Sequence, residues 1–352
     1  MAGGIGSRFW PASRVEKPKQ FIDILGTGET LLQSTYKRFL KICEPENIFI
    51  LTNQDYTHLV KEQLPEISEN QIIAEPMRKN TGPCIAYASY KIQNIDPNAN
   101  IIVAPSDHII LKEEKFVEII NQAFEFVDQN DALCTIGIRP TRADTGYGYI
   151  QYKEEAIKPG IFKVKTFTEK PDIQTAKRFI ESGDFLWNAG IFIWNVQNII
   201  ESFQNHLQEV SEAFEDIKGY IGTSSEPIAI EKAFSICPSI SIDFGVMEKA
   251  ENVFVLPASL GWSDLGTWAS LYEEKNKDYL QNAVSGNEVI IYDASNNIID
   301  VPDDKLVVIE GLENFIVVDT PNVLLICNKN HEQKIKEFTQ DLKNSKDKEK
   351  YL

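Results

Sequence analysis

The sequence predicts an α/β fold: a Rossmann-like layered domain with a mixed sheet, followed by a small β-rich module. Through the first two-thirds, short β-rich runs alternate with stretches of helical periodicity. From about Asn282 the texture changes to closely spaced short strands punctuated by Asn, Asp, Gly and Pro. At 352 residues the chain is long enough to bury a true core without disulfide support.

Taken in order, Thr30 followed by Gln33 forms a capping-box pattern that opens a helix. Residues 48–51 and 101–103 read as buried strands. Phe116, Ile119, Ile120, Ala123, Phe124 and Val127 recur at helical spacing, which plain core packing explains. In the last part, strands are predicted at 289–292, 298–299, 306–309, 315–318 and 323–326, an arrangement that suits a small solenoid or a sandwich. Ile335, Phe338 and Leu342 share one helical face that packs back on these strands, and the charged tail from Lys343 is expected to fray. The boundary falls near residues 275–285, giving a first domain of residues 1–278 and a second of 279–352.

Composition narrows the function. Thirty-five basic against fifty-two acidic residues give a net charge of −17, which argues against a nucleic-acid surface, since duplex binding neutralises many phosphates. A bound polyanion must be met locally, by a few placed Arg and Lys side chains, backbone N–H groups and a divalent cation held by carboxylates. No run approaches the roughly 18 apolar residues of a membrane span, and the amino terminus opens on glycines rather than on a basic and apolar leader. A soluble, cytoplasmic protein is expected. Cys43, Cys84, Cys134, Cys237 and Cys327 are scattered and odd in number, with no C-x-x-C pair, so they read as reduced thiols.

Several blocks carry chemistry. Ala2, Gly3, Gly4, Gly6, Ser7 and Arg8 let backbone N–H groups approach an anion with an arginine beside them. The block is neither a Walker loop nor a dinucleotide fingerprint, and a flexible terminus would carry the same glycines. Pro11, Arg14, Lys17, Pro18 and Lys19 follow in a short basic loop. Residues 75–83, with Asn80 and Thr81, serve equally well as the start of a helix. Asp107 lies beyond the strand at 101–103, where open α/β sheets bind ligands, or else caps the next element. With four histidines in the chain, no His-based cluster is formed by sequence pattern. Residues 146–150, 167–171 and 187–190 place polar groups among aromatics and glycines, as sugar sites do. Asp264, in the block 261–268, reads by itself as a turn aspartate.

Together these blocks resemble the sugar nucleotidyltransferase family. Its pattern runs A-G-G-x-G-T/S-R-L-W-P and then P-K-Q-F, and E-P-x-x-R-N-T-A-P matches residues 75–83 with Lys79 and Gly82 as departures. The blocks S-I-D-Y-A-V-M-E-K and G-W-S-D-V-G-S-W match residues 241–249 and 261–268 and point to the mannose/guanine branch. The resemblance covers about residues 2–268. Beyond it only the texture matches, and the analogy favours a β-helix.

The resemblance implies transfer of GMP from GTP to mannose 1-phosphate, with Mg2+ as cofactor. Ala2, Gly3, Gly4, Gly6 and Ser7 would cradle the nucleotide phosphates, and Asn80 and Thr81 would lie at the base. Arg8 and Lys19 would stabilise charge on the triphosphate and leaving pyrophosphate, with Asp107 and Asp264 as the metal ligands. Glu169 and Asn188 would hold sugar hydroxyls, Gly146 and Tyr147 the sugar and Lys170 its phosphate, while Asp243 acts electrostatically or orients its loop. The sugar phosphate, with a second pKa of roughly 6, needs no general base. The alternatives are another hexose 1-phosphate or base, or a catalytically silent GDP-sugar-binding regulator. Exposed edges of the β-rich module would offer a homodimer surface. In the family a β-strand precedes the glycine loop, whereas this chain opens on the loop, so the sheet is expected to lack that strand and the chain to be less stable.

Overall fold

The computed structural model describes residues 1–4 and 6–352. Two compact units form, the first from Met1–Gly3, Tyr36–Pro105 and Ile110–Trp262, the second from Gly4–Thr35, Ser106–Ile109 and Ser263–Leu352.

The first unit is built on strands β1 (Ile50–Asn53), β2 (Ile72–Glu75), β3 (Asn100–Val103), β4 (Leu133–Ile138), β5 (Tyr149–Lys158), β6 (Ile161–Thr168), β7 (Phe185–Asn195) and β8 (Val253–Ala258). Six of them form a mixed sheet in the order β3-β7-β4-β8-β6-β5, in which β4 and β8 run parallel and the other neighbours antiparallel. Every residue of β4 is buried, so this central strand has apolar neighbours on both faces, as a continuous apolar run requires. Along β7, Phe192 and Trp194 enter one apolar cluster and Ile191 and Ile193 the other, because successive side chains of a strand point to opposite faces. The predicted helical stripe lies on the helix Glu113–Gln129: Phe116, Ile120, Ala123 and Val127 are buried, with Ile119 and Phe124 packed against the same cluster. The opposite cluster takes Tyr87 and Tyr90 from the helix Thr81–Ile95 together with Phe203, Phe214 and Phe234.

Strands β1 and β2 form a separate parallel pair. The first two residues of the chain are held between this pair and the end of β3. The Met1 ammonium donates to the Ala104 carbonyl at 2.8 Å, Ala2 N–H to Leu51 O at 2.6 Å, and Thr52 Oγ1 to Ala2 O at 2.9 Å. The start of the glycine loop is thereby fixed to β1.

The second unit is a short β-solenoid. Strands β9 (Ala283–Ser285), β11 (Ile298–Asp300) and β13 (Phe315–Thr320) stack in parallel on one side, and β10 (Val289–Tyr292) and β12 (Val307–Glu310) stack in parallel on another. Strand β14 (Val323–Asn328) closes the first stack antiparallel to β13. Two buried asparagines join successive coils. Asn297 Nδ2 donates to Asn282 Oδ1 at 3.0 Å and to Leu312 O at 2.8 Å, and Asn297 Oδ1 accepts Phe315 N–H at 2.8 Å. The capping box at Thr30 and Gln33 is made in both directions. In the helix Ile335–Lys343, Ile335 is buried and Phe338 and Leu342 pack on the same core, as their spacing predicts. The tail departs from the expected fraying: Glu349–Tyr351 forms a 3-10 turn whose Tyr351 carbonyl accepts the indole N–H of buried Trp10 at 2.7 Å. A buried donor that needs an acceptor orders the chain end.

Candidate active site

In the second unit the glycine loop is shaped around Lys19. Gly6 has φ +64°, and a Cβ there would lie 2.6 Å from Lys19 Cβ, so both backbone conformation and space demand glycine. The 3-10 turn Lys19–Phe21 is wholly buried, and Gln20 Nε2 donates to Gly4 O at 2.9 Å to hold the loop. The Lys19 ammonium lies 5.7 Å from the Phe9 ring centroid and donates to Asp107 Oδ2 at 2.9 Å, Asp264 O at 2.8 Å and Leu265 O at 3.1 Å. An ammonium carries three donors, and all three are directed by the fold. Ser7 is exposed and Arg8 half-buried; among the described residues Arg8 makes no ion pair.

Burial raises the Asp107 carboxyl, but the Lys19 ammonium and His108 outweigh it and hold the group below the usual carboxylate range. Asp107 is therefore an anion at neutral pH. Asp264 Oδ1 accepts Gly266 N–H at 2.9 Å, and a Cβ on Gly266 would lie 2.6 Å from Asp264 Oδ2. That is the turn geometry open to any aspartate, but here the same turn delivers the Asp264 carbonyl to Lys19. Among the described residues no three His, Cys, Asp or Glu side chains gather at metal-binding spacing. The Asp107 carboxylate on Lys19 and the Asp264 carboxylate, in the turn whose carbonyl accepts from Lys19, are nevertheless hard oxygen donors that fit Mg2+, which takes one or two protein carboxylates and completes its shell with phosphate and water. Ser106 Oγ, next to Asp107, is buried without a partner and adds a hydroxyl that sequence reasoning missed.

In the first unit, Asn80 adopts φ +67° and its side chain accepts Thr81 N–H at 2.9 Å, starting the helix Thr81–Ile95. Gly82 N–H donates to Ile240 O at 2.9 Å and Ile242 N–H to Thr81 Oγ1 at 2.9 Å, which ties this stretch to the loop ahead of Asp243. A Cβ on Gly82 would lie 2.8 Å from Ile240 O, so glycine here, in place of the family's alanine, matches a close approach of the loop. Glu75, at the end of β2, heads the matched block 75–83 but was given no role in the sequence analysis. It is 6% exposed, and its Oε2 has no hydrogen-bond partner. Burial pushes its carboxyl up to about 7 against the pull of Arg78 and the amino terminus. Its place at the head of that block, closing the apolar run at 72–74, was the available signal.

A second cluster in this unit gathers the predicted sugar-side residues. Asn188 Nδ2 donates to Asp243 Oδ1 at 2.7 Å, while Asn188 Oδ1 accepts Gly190 N–H at 3.0 Å. Asp243 opens a one-turn π-helix, Asp243–Met247, a form frequent at functional sites. Burial and then the Glu169 charge push its carboxyl up to about 6. Glu169 pairs with Lys170 at 2.7 Å, and a Cβ on Gly148 would lie 2.4 Å from Glu169 Oε2. Gly146 gives its N–H to Asp144 Oδ1 at 2.8 Å. Tyr147 lies edge-on to Trp187 and Trp262, with ring centroids 4.9 and 5.3 Å away. The two units thus hold separate groups: Arg8, Lys19, Asp107 and Asp264 in the second, and Glu75, Asn80, Thr81, Gly146, Tyr147, Glu169, Lys170, Asn188 and Asp243 in the first.

A family model described as nucleotidyl transferase matches residues 1–281, and one described as MannoseP isomerase/GMP-like beta-helix domain matches residues 286–342. The chain belongs to the nucleotidyl transferase family. Curated relatives narrow the class. The chain is 38% identical to a mannose-1-phosphate guanylyltransferase of Salmonella muenchen, over 97% of its own length and 72% of the relative's. It is 34% identical to the one from Klebsiella pneumoniae, over 97% of this chain and 73% of that one. A crystal structure of a mannose-1-phosphate geranyltransferase from Thermus thermophilus superposes with a TM-score of 0.87 at 28% identity, covering 97% of this chain and 98% of that one.

Proposed function

We propose that the chain transfers GMP from GTP to mannose 1-phosphate, giving GDP-mannose and pyrophosphate. The observation that carries this reading is the buried Lys19 ammonium, held between the Asp107 carboxylate and two backbone carbonyls beside the glycine loop. It supplies a preorganised positive charge in a site whose reaction moves negative charge from an α-phosphoryl group onto pyrophosphate. Ala2, Gly3, Gly4, Gly6 and Ser7 offer backbone N–H groups to the phosphates, Arg8 adds a second cation, and Asn80 and Thr81 flank the base. The chemistry supplied at Asp107 and Asp264 by bound Mg2+ is further charge neutralisation on the phosphates.

On the sugar side, Glu169 and Asn188 take hydroxyls, the Gly146 carbonyl and Tyr147 border the ring, and Lys170 meets the phosphate. Asp243, bonded to Asn188, orients that amide. A phosphate oxygen of the sugar is the nucleophile and is already anionic near neutral pH. We assign residues 1–278 to transfer and 279–352 to the solenoid. The absence of a helix long and apolar enough to cross a membrane among the described residues supports a cytoplasmic location, and Leu324 and Ile326, exposed on strand β14, support a homodimer through that edge.

Pyrophosphate release with Mg2+, mannose 1-phosphate and each of GTP, ATP, UTP and dTTP, repeated with glucose 1-phosphate, tests the reading. Release confined to GTP with mannose 1-phosphate is the expected result, and a different preferred pair would move the substrate. Asp264→Ala should abolish turnover while leaving the protein folded; an active Asp264→Ala enzyme would remove that residue from the metal site.

A further inference from the structure

Arg142, in the loop between β4 and β5, lies outside every matched block. Its guanidinium sits over two rings of the aromatic cluster in the first unit, 5.3 Å from the Trp187 centroid and 5.9 Å from that of Tyr147. Its edge is taken by Asp144, whose Oδ2 accepts from Nη2 at 2.8 Å, and the Tyr147 hydroxyl lies 3.5 Å from the same nitrogen. Asp144 is itself a fixed post. The hydroxyl of fully buried Tyr149 accepts Asp144 N–H and donates to Asp144 O, each at 3.0 Å, and Asp144 Oδ1 accepts Gly146 N–H at 2.8 Å. The loop backbone ahead of β5 is thereby held, while the Tyr147 ring rests edge-on against Trp187 and Trp262.

The Arg142 side chain is 54% exposed, and an ion pair in that setting stabilises little by itself. What the geometry adds is cover for the rings. A planar, weakly hydrated guanidinium can lie on aromatic faces while its edge bonds a carboxylate, which a lysine ammonium cannot do. We propose that Arg142 is a positioning residue for the sugar-phosphate site: held by Asp144, it covers the Tyr147–Trp187 pair from the solvent side and fixes the tyrosine ring that borders the sugar. The Tyr147 carbonyl accepts Lys170 N–H at 3.2 Å and Gly148 O accepts Asn188 N–H at 2.8 Å, so a displaced Tyr147 would also disturb two neighbours on the sugar side. Arg142 acts through Tyr147 and does not itself touch substrate. The inference rests on the reading of this cluster as the sugar side of the transferase and adds a residue that shapes it.

The experiment is a double-mutant cycle on Arg142 and Tyr147, measuring kcat and KM for mannose 1-phosphate and for GTP, with tryptophan fluorescence and thermal unfolding of each protein. Arg142→Ala should raise KM for mannose 1-phosphate by roughly 3- to 30-fold, the range of a cation–π contact. Its kcat, KM for GTP and Tm should stay near wild type, because the lost contact serves ground state and transition state alike. Its tryptophan emission should move to longer wavelength as Trp187, 4% exposed, meets water. Arg142→Lys, which keeps the charge without the planar stack, should recover only part of the KM. With Tyr147→Ala already in place, removing Arg142 should raise KM no further, since the two residues act as a unit. Equal losses in both backgrounds, or full rescue by lysine, would overturn the proposal by showing a charge that acts directly on substrate. An Arg142→Ala protein with unchanged KM or unchanged emission would overturn it by showing that Tyr147 and Trp187 hold their places unaided. Wild-type protein that does not turn over mannose 1-phosphate would refute the sugar reading instead, and the emission of Arg142→Ala would still decide whether Arg142 covers the rings.

Discussion

Lys19 has no freedom to choose partners: its side chain is 5% exposed and its three protons point at Asp107, Asp264 O and Leu265 O. Lys19→Met should therefore lower kcat by about 10²- to 10³-fold, the usual cost of removing one preorganised charge-stabilising donor. It should also destabilise the fold by about 1–3 kcal/mol, because Asp107 and two carbonyls lose their donor. Steady-state kinetics and denaturant unfolding separate the two effects, and Lys19→Met turning over at the wild-type rate would remove Lys19 from catalysis. Glu75 gives a prediction of opposite character. Its folded carboxyl titrates at about 7 rather than 4.5, so folding favours the protonated form. That contribution to stability is complete below about pH 4.5 and is lost as pH rises through about 7. Glu75→Gln cannot ionise, so it should gain on the order of 2–3 kcal/mol relative to wild type between pH 5 and pH 8. Urea unfolding at both pH values checks this; a difference between the two proteins that does not change with pH would mean that Glu75 is solvated or paired.

At the scale of elements, the start of the helix Thr81–Ile95 and the loop before Asp243 behave as one piece. Gly82→Ala would gain about 1 kcal/mol of helix propensity. It would also drive a Cβ to 2.8 Å from Ile240 O, and overpacking of this kind costs about 1–3 kcal/mol. The net expectation is a loss of about 1 kcal/mol and a raised KM for mannose 1-phosphate, since the displaced loop carries Asp243. A more stable Gly82→Ala protein with unchanged KM would show that the loop yields freely. The sequence alone announced some elements clearly and hid others. The solenoid strands and the helix Glu113–Gln129 were legible because each has one face of regular apolar period and clear punctuation. Residues 187–190 were read only as a site block, yet they lie inside β7, the longest strand of the sheet, because Gly190 at φ +67° and the shift in register opposite Thr135 and Gly137 break its alternation. Strand β5 was equally obscure, since its second half is exposed. Of the site, the motif residues were visible. Glu75 stood in a matched block but was given no role, because its burial and unpartnered oxygen are properties of the fold rather than of spacing.

For the whole molecule, the division of the sequence by family type and the division of the fold by packing are different. The family models meet between residues 281 and 286, but the second compact unit joins Gly4–Thr35 to Ser263–Leu352. Its core contains Phe9, Trp10, Ile24 and Leu31 from the glycine-loop region, and Ile298, Ile316, Val318, Leu325 and Ile335 from the solenoid. Each large apolar side chain contributes about 1.5–3 kcal/mol when fully buried. The solenoid residues together therefore match the roughly 5–15 kcal/mol that separates an ordinary domain from its unfolded state. Trp10 would also lose the Tyr351 carbonyl, and Arg14 the Thr320 hydroxyl it meets at 2.9 Å. A fragment ending at residue 281 is accordingly predicted to lose the placement of Lys19 along with its core, and to be inactive and aggregation-prone although every proposed catalytic residue is present. Thermal unfolding, size-exclusion chromatography and pyrophosphate release on that fragment decide the matter. A soluble fragment with full turnover would mean that the glycine loop is organised without the solenoid, and that the shared core matters for endurance rather than for chemistry.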